Sequence, residues 1–270
     1  MDELPEVAEA AEPRVSLAVA LLVGAFLVAT SCGTRESAAV KPSQYATQVL
    51  ADGAVGYWRL DEQQGQRAED KTPFANHGII RGGVMFRQTG ATLADGDSAI
   101  FFNGRTGVIT VESKDSLRMG NGALTLEAWI KPAAIQTGEA MIVCKGTSGV
   151  WTEYGLALME GVPGYQSIAE NYKVPGGKTV DVGVWTHLAV TVSKNSVLNF
   201  YINGVDAGSV TAITNHVITS STQPLTIGGE AVQTNMFMGA IDDAAVYDHP
   251  LTAAQVAQHF AAAATKGSRP

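Results

Sequence analysis

Charge is scarce in this chain: Asp, Glu, Lys and Arg together make up only 16% of its 270 residues. With 18 basic residues against 26 acidic ones and no stripe of Lys or Arg, nothing is available to neutralise a row of phosphates, which excludes nucleic acid as a partner. Much of the formal charge of −8 sits at the start, in Asp2, Glu3, Glu6, Glu9 and Glu12, opposed only by Arg14. The remaining body is mildly acidic and suits neutral ligands or cations. Cysteine is scarcer still. Cys32 and Cys144 are the only two, so there is no disulfide framework and no Cys/His spacing for zinc. Cys144, inside Met141-Ile142-Val143-Cys144, reads as a small buried hydrophobe. From Tyr57 onward helical periodicity is missing before Pro250, and no internal repeat occurs. What is plentiful is apolar material, at 46%, enough for a sizeable core and too much for a disordered chain.

There is one long uncharged run, Val15 to Ser31, bounded by Arg14 and Arg35. Its apolar content marks an export or anchoring segment. It ends in Ala29-Thr30-Ser31-Cys32, which resembles the lipobox of bacterial lipoproteins; that resemblance implies lipidation of Cys32. The sequence departs from the lipobox pattern at Ala29, where leucine is usual, and in its acidic rather than basic start. An uncleaved anchor helix with an incidental cysteine is the alternative. Both readings put the body outside the cytoplasm, membrane-anchored or secreted. The expected organisation is a signal or anchor segment over 1–31, a tether over 32–44, one domain over 45–260 and a flexible tail over 261–270.

Within the body, short β-type segments alternate with Gly, Asn and Asp. Leu124, Leu126, Ala128 and Ile130 fall on one face of a strand, and Leu188, Val190 and Val192 on one face of another. Leu198-Asn199-Phe200-Tyr201-Ile202 runs into Asn203-Gly204, a pair that accepts positive φ at both centres of a type I′ turn, so a hairpin returning over Val205 to Val210 is predicted. Roughly a dozen strands suit two packed sheets. At the end the period changes. Thr252 as N-cap, Gln255 as its capping-box partner, and Leu251 with Val256 as a hydrophobic staple predict a short helix through about Phe260. The fold class is all-β, a two-sheet antiparallel sandwich with a short C-terminal helix.

Several phrases can then be set side by side: Gly56-Tyr57-Trp58-Arg59-Leu60-Asp61-Glu62, Asn76-His77-Gly78, Phe101-Phe102-Asn103-Gly104, Leu124 to Ile130, Trp185-Thr186-His187-Leu188-Ala189, Phe200 to Gly204, and Gly239-Ala240-Ile241-Asp242-Asp243 through Tyr247. In order and spacing the chain resembles bacterial laminin-G-like domains of the concanavalin A-like lectin/glucanase superfamily. The resemblance implies a jelly-roll sandwich and an extracytoplasmic binding module, for carbohydrate or for adhesion. The alternatives are a structural or protein-contact domain at the cell surface and a polysaccharide-active enzyme, since one fold hosts many functions.

The enzyme reading has little to stand on. Glucanases of this superfamily set their carboxylates along one strand as E-x-D-x-x-E, whereas Glu127 is followed by Ala128-Trp129-Ile130-Lys131. Asp242 and Asp243 are adjacent and should point to opposite faces of a strand. Glu153, Glu160 and Glu170 remain as carboxylates that separate loops could bring together. His187 reads as a packed structural histidine and His77 as a turn residue, while Trp58, Trp129 and Trp185 belong to the core. Trp151, Tyr154, Tyr165 and Tyr172 lie in the more irregular stretch from Lys145 to Lys178, rich in Gly and Pro, which makes them the candidate ligand-binding surface for a glycan or a cell-surface protein.

One carboxylate is anomalous. Asp242 alternates with Ala240, Ala244 and Val246, a face that should look inward, and no Lys or Arg lies between Gly239 and Tyr247. An unpaired buried charge costs several kcal/mol, roughly, unless a partner or cation meets it. The resemblance implies a partner: calcium-binding members of the superfamily couple a last-strand aspartate to oxygens from N-terminal loops. By that analogy one structural Ca²⁺ is expected on Asp242, Asp70, Asn76 and Gly78, against a capped turn at Asp70 and backbone N–H groups on Asp242. Lys71 and Pro73-Phe74 depart from the Ser and Gly common after the family's aspartate.

Overall fold

In the computed structural model the described residues are 43–92, 97–120, 122–146, 152–167, 171–212 and 221–263. Cys32 and Trp151 lie outside them. A helix, α1 (Gln44–Ala51), comes first. The strands of the first half are β1 (Gly56–Trp58), β2 (Arg67–Ala68), β3 (Gly78–Arg81), β4 (Val84–Thr89), β5 (Ser98–Asn103), β6 (Val108–Val111), β7 (Leu124–Pro132) and β8 (Glu139–Lys145). Those of the second half are β9 (Tyr154–Met159), β10 (Val162–Gln166), β11 (Asn171–Lys173), β12 (Thr186–Val192), β13 (Val197–Ile202), β14 (Val205–Thr211), β15 (Leu225–Ile227) and β16 (Met238–Tyr247), followed by helix α2 (Ala253–Ala263).

These strands form two antiparallel eight-stranded sheets. One has the order β14-β13-β12-β7-β16-β5-β4, with β1 also on β16; the other runs β11-β10-β9-β8-β15-β6-β3-β2. The inner faces meet in a core that includes Trp58, Phe102, Leu126, Ile142, Leu156, Phe200 and Ile241. Alternation decides who enters it. In β7, Leu124, Leu126, Ala128 and Ile130 face the other sheet, as their period of two requires. The intervening Thr125, Glu127 and Trp129 are buried as well, because the outer face of that sheet is roofed by the two helices.

That roof is a second hydrophobic layer. Tyr45, Val49, Leu251 and Val256 from the helical ends pack on Tyr57, Trp129, Tyr201 and Tyr247 from the sheet. Trp129 stacks on Phe260 with ring centroids 5.6 Å apart. The expected capping box is present: Thr252 N–H donates to Gln255 Oε1 at 2.9 Å and Gln255 N–H to Thr252 Oγ1 at 3.3 Å. The Asn203-Gly204 turn has positive φ at both residues, 52° and 73°. Gly204 has a second reason to be glycine, since a Cβ there would lie 2.7 Å from Phe260 Cβ.

One element goes beyond the sequence expectations, and one expectation fails. Helix α1 was not foreseen; its eight residues carry no long periodic pattern, and it forms because Ser43 Oγ accepts the Ala46 N–H at 3.0 Å and Tyr45, Ala46 and Val49 are buried. The stretch 145–178 is also less irregular than its Gly and Pro content suggests, for it contains β9, β10 and β11. Gly161, with φ 79°, closes the β9–β10 hairpin, so its glycine marks a turn between strands.

Candidate functional site

Strand β16 is flanked on one side by β7. Its other side has two neighbours in succession: β5 pairs with Met238 to Ile241 and β1 with Ala244 to Val246. Asp242 and Asp243 fall at the changeover. The ladder with β7 shifts register there, and Asp243 takes φ 49°. This bulge breaks strict alternation. Ile241, Ala244 and Val246 face the core, and the two aspartates come to one pocket instead of opposite faces.

The pocket gathers the end of β1 and the start of β5 as well. Arg59 reaches Asp61 Oδ2 at 2.8 Å through Nη1, Asp97 Oδ1 at 3.0 Å through Nη2, and Asp243 Oδ1 at 3.8 Å through Nε. Ala91 N–H donates to Asp242 Oδ2 at 2.8 Å, Thr92 N–H to Asp97 Oδ2 at 2.9 Å, and Tyr57 hydroxyl to Asp243 Oδ1. Asp242 Oδ1 and Asp243 Oδ2 are buried with no hydrogen-bond partner among the described residues. Asp97, Asp242 and Asp243 each offer an oxygen within 4.8 Å of the others. Burial first, and then repulsion between neighbouring carboxylates, pushes Asp242 and Asp243 well above the usual carboxylate range. One guanidinium cannot neutralise four carboxylates. A proton or a cation must supply the rest, and three carboxylates are the oxygen-donor chemistry that a hard cation takes.

The ligand set expected from the sequence is not assembled as such. Asp70 takes N–H groups from Tyr57 (2.9 Å), Thr72 (2.9 Å) and Asn76 (2.7 Å) and the Thr72 hydroxyl (2.7 Å), which makes it the knot of a capped turn. Asn76 belongs to the same knot: its Nδ2 donates to Val55 O and its carbonyl accepts from Trp58 Nε1. His77 has the expected turn role, accepting the Asp70 N–H at 3.2 Å through Nδ1. Gly78 is a packing glycine, since a Cβ would sit 2.4 Å from Ile109 Cγ2. Asp242 clusters with Asp97 and Asp243 and not with these residues. Tyr57 joins the two groups, its N–H on Asp70 and its hydroxyl on Asp243.

Of the expected aromatic surface, Tyr154, Tyr165 and Tyr172 point into the core between the sheets, and Tyr154 hydroxyl donates to Leu117 O at 2.8 Å. They cannot stack on a ligand. Glu153 is fully buried beside Lys145 at 3.4 Å, whereas Glu160 is exposed and paired with Lys173 at 2.8 Å, so the two do not converge. Glu170 lies outside the described residues.

Beneath the helical roof sits a third titratable cluster, which the sequence reading missed. Glu127 accepts from Tyr247 hydroxyl at 2.8 Å and Tyr45 hydroxyl at 3.3 Å, and His187 Nε2 lies 3.4 Å away. His259 Nδ1 is 3.1 Å from both Glu127 oxygens, and its Nε2 is 2.8 Å from Asp52 Oδ2. Both ring nitrogens face carboxylates, so both donate, which is the protonated form. Burial alone would lower His259, but Glu127 and Asp52 raise it above the ordinary histidine value. Burial would raise Glu127, but the charge of His259 and hydrogen bonds from His187 and His259 override it and hold the carboxyl far below the usual range.

A laminin-G family model, described as the concanavalin A-like lectin/glucanases superfamily, matches residues 103–257. No curated protein matches the chain. Among solved structures, domain 4 of a GH43 extracellular arabinanase from Geobacillus stearothermophilus, in complex with arabinotriose, superposes with a TM-score of 0.58 at 21% identity, covering 76% of this chain and 97% of that one. The binding domain of botulinum neurotoxin DC, in complex with rat synaptotagmin II, gives 0.57 at 11% identity over 78% of this chain and 52% of the other. A Trypanosoma rangeli sialidase gives 0.54 at 15% identity over 76% and 32%. At these identities the likeness establishes the fold alone.

The roof cluster has a pH signature. A raised His259 stabilises fully below the ordinary histidine value of about 6.5 and loses that contribution as pH climbs through its folded value. A depressed Glu127 stabilises above about 4.3 and loses its contribution as pH falls toward its own folded value. The cluster therefore supports the fold most from mildly acidic to neutral pH. Thermal melts from mildly acidic to alkaline pH should show a fall on the alkaline side. His259→Gln should lose roughly 3–5 kcal/mol at neutral pH, because Glu127 is left buried without its cation, and should flatten that fall. An unchanged pH profile in the variant would assign the fall to other groups.

Proposed function

Because the chain belongs to the concanavalin A-like lectin/glucanase superfamily, we propose that its sandwich is a binding module carried outside the cytoplasm, with a glycan as ligand and one structural Ca²⁺ at Asp97, Asp242 and Asp243. The observation that carries binding over hydrolysis is the fate of the acidic residues. Glycoside hydrolysis needs two carboxyl groups that touch the sugar on either side of the scissile bond. Glu127, Asp242 and Asp243 are each 0% exposed, Glu127 under two helices and the aspartates at a strand junction. They serve the fold. The arabinanase domain solved with arabinotriose supports a sugar as ligand, and the neurotoxin domain solved with synaptotagmin keeps a protein ligand as the second reading.

A glycan array with the full chain in detergent, run beside a reducing-end assay on plant and microbial polysaccharides, should give binding without release of sugar. Reducing ends that rise with time and enzyme concentration would replace the module by an enzyme.

The cation has its own test. Added Ca²⁺ should raise the melting temperature and EDTA should lower it, while Asp242→Asn should show a smaller response to both. Equal melting of the wild type in Ca²⁺ and EDTA would remove the ion and leave protons as the pocket's neutralising charge.

Anchoring rests on Cys32. Mass spectrometry of the mature protein should find Cys32 as a lipidated N-terminus. A peptide carrying Ser31-Cys32 unmodified would leave the anchor helix as the attachment.

A further inference from the structure

An open recess of about 410 Å³ lies where the β7–β8 loop (133–138) meets Gly104, the start of β8 and the segment 235–238 that enters β16. It falls in the range of about 300–1,000 Å³ typical of small-ligand sites. Its loop is braced from within. Gln136, almost wholly buried, donates to Ala134 O at 2.9 Å and Met238 O at 3.2 Å and accepts from Met238 N–H at 3.2 Å. Ala133 N–H donates to Met238 O at 3.0 Å, and Glu160 N–H to Gly138 O at 2.7 Å. The recess is thus largely pre-formed.

One wall is an organised polar array. Glu139 accepts from Asn171 Nδ2 at 2.5 Å through Oε1, and from Gln166 Nε2 at 3.0 Å and Asn235 Nδ2 at 3.4 Å through Oε2. The Asn235 amide also reaches Glu230 Oε1 at 3.1 Å. At the rim stand two aliphatic side chains that water reaches freely, Ile135 at 78% exposure and Met238 at 40%. No Lys, Arg or His is among the lining residues.

We infer that this recess is the sugar-binding site of the module and that it takes a neutral oligosaccharide. The inference rests on the glycan reading above and locates it. Ligand hydroxyls can donate to the Glu139 carboxylate and exchange hydrogen bonds with the Asn235 amide, while Ile135 and Met238 cover a C–H face of the sugar. A carboxylate wall without a cation disfavours uronic or sialic acids, whose charge would be brought close to Glu139 with no counter-ion. The tyrosines expected to do this work are core residues, so the apolar surface comes from aliphatic side chains.

The test uses the full chain in detergent with neutral probes (arabinotriose and the oligomers of xylose, mannose, glucose and N-acetylglucosamine) and oligogalacturonate as the acidic probe. Ile135→Asp alters an exposed side chain, and Asn235→Gly removes the amide at a residue with φ 49° that glycine tolerates. Each should weaken neutral-sugar binding by about tenfold or more, Ile135→Asp with melting unchanged and Asn235→Gly with a lowered melting temperature, since buried Glu230 loses a donor, but with the chain still folded at the binding temperature. Oligogalacturonate should bind more weakly than its neutral counterparts, and Glu139→Gln should narrow that gap. Neutral-sugar binding at wild-type affinity in both Ile135→Asp and Asn235→Gly overturns the recess while leaving the glycan reading in place. A wild-type chain that binds no neutral oligosaccharide, or prefers the acidic one, overturns the inference, and silence toward every sugar takes the glycan reading with it.

Discussion

Strand β16 runs through the middle of its sheet with two different neighbours along one edge, and the place where β5 gives way to β1 has to be closed by side chains. Asp242 and Asp243 occupy it. An interior carboxylate cannot be left alone, and here Asp243 shares Arg59 with Asp97 and Asp61 while Asp242 accepts the Ala91 N–H. The consequence spreads outward along each strand. Arg59 fixes the chain leaving β1, Asp97 the chain entering β5, and Tyr57 ties the pocket to the Asp70 turn. Charge compensation at one junction therefore holds the register of three strands.

The helical roof solves a different problem of the same sheet. An eight-stranded sheet that presents Tyr57, Trp129, Tyr201 and Tyr247 on its outer face cannot leave them in water, and α1 and α2, far apart in sequence, cover them together. The roof is specified by polar contacts as well. Asp52, at the end of α1, accepts from Gln255 Nε2 at 2.9 Å and meets His259 of α2, which in turn holds Glu127 of β7. Burying hydrophobic area would let the helices slide; a histidine between two carboxylates gives them one position.

Much of this was legible in the residues. The alternation of Leu124 to Ile130, the positive-φ pair Asn203-Gly204 and the Thr252 capping box are local signals, and each forms as its chemistry dictates. The failures share a physical cause. Whether Asp243 shares a face with Asp242 depends on a bulge set by the changeover of neighbouring strands, which no window of sequence contains. Tyr154, Tyr165 and Tyr172 look like surface aromatics among glycines and prolines until the hairpins between them fix which face each takes. Helix α1 is stabilised by residues far along the chain, the sheet's outer face and α2, about two hundred residues later, which together bury its apolar side. Asp242 was the exception: its anomaly could be read from burial cost alone, though its companions could not.

The acidic junction and the open recess sit on the same strand. Met238, which lines the recess and anchors the Gln136 brace, is four residues before Asp242, about 13 Å along β16 at the usual strand rise. Between them Gly239, Ala240 and Ile241 are locked to both β5 and β7. A strand held on both edges does not slide, because a slip of one residue would exchange its two faces. Those two ladders therefore fix where Met238 stands, and with it the loop whose Gln136 side chain bonds to Met238. The charged pocket and the recess thus stand on one frame, the pairing of β16 with β5 and β7.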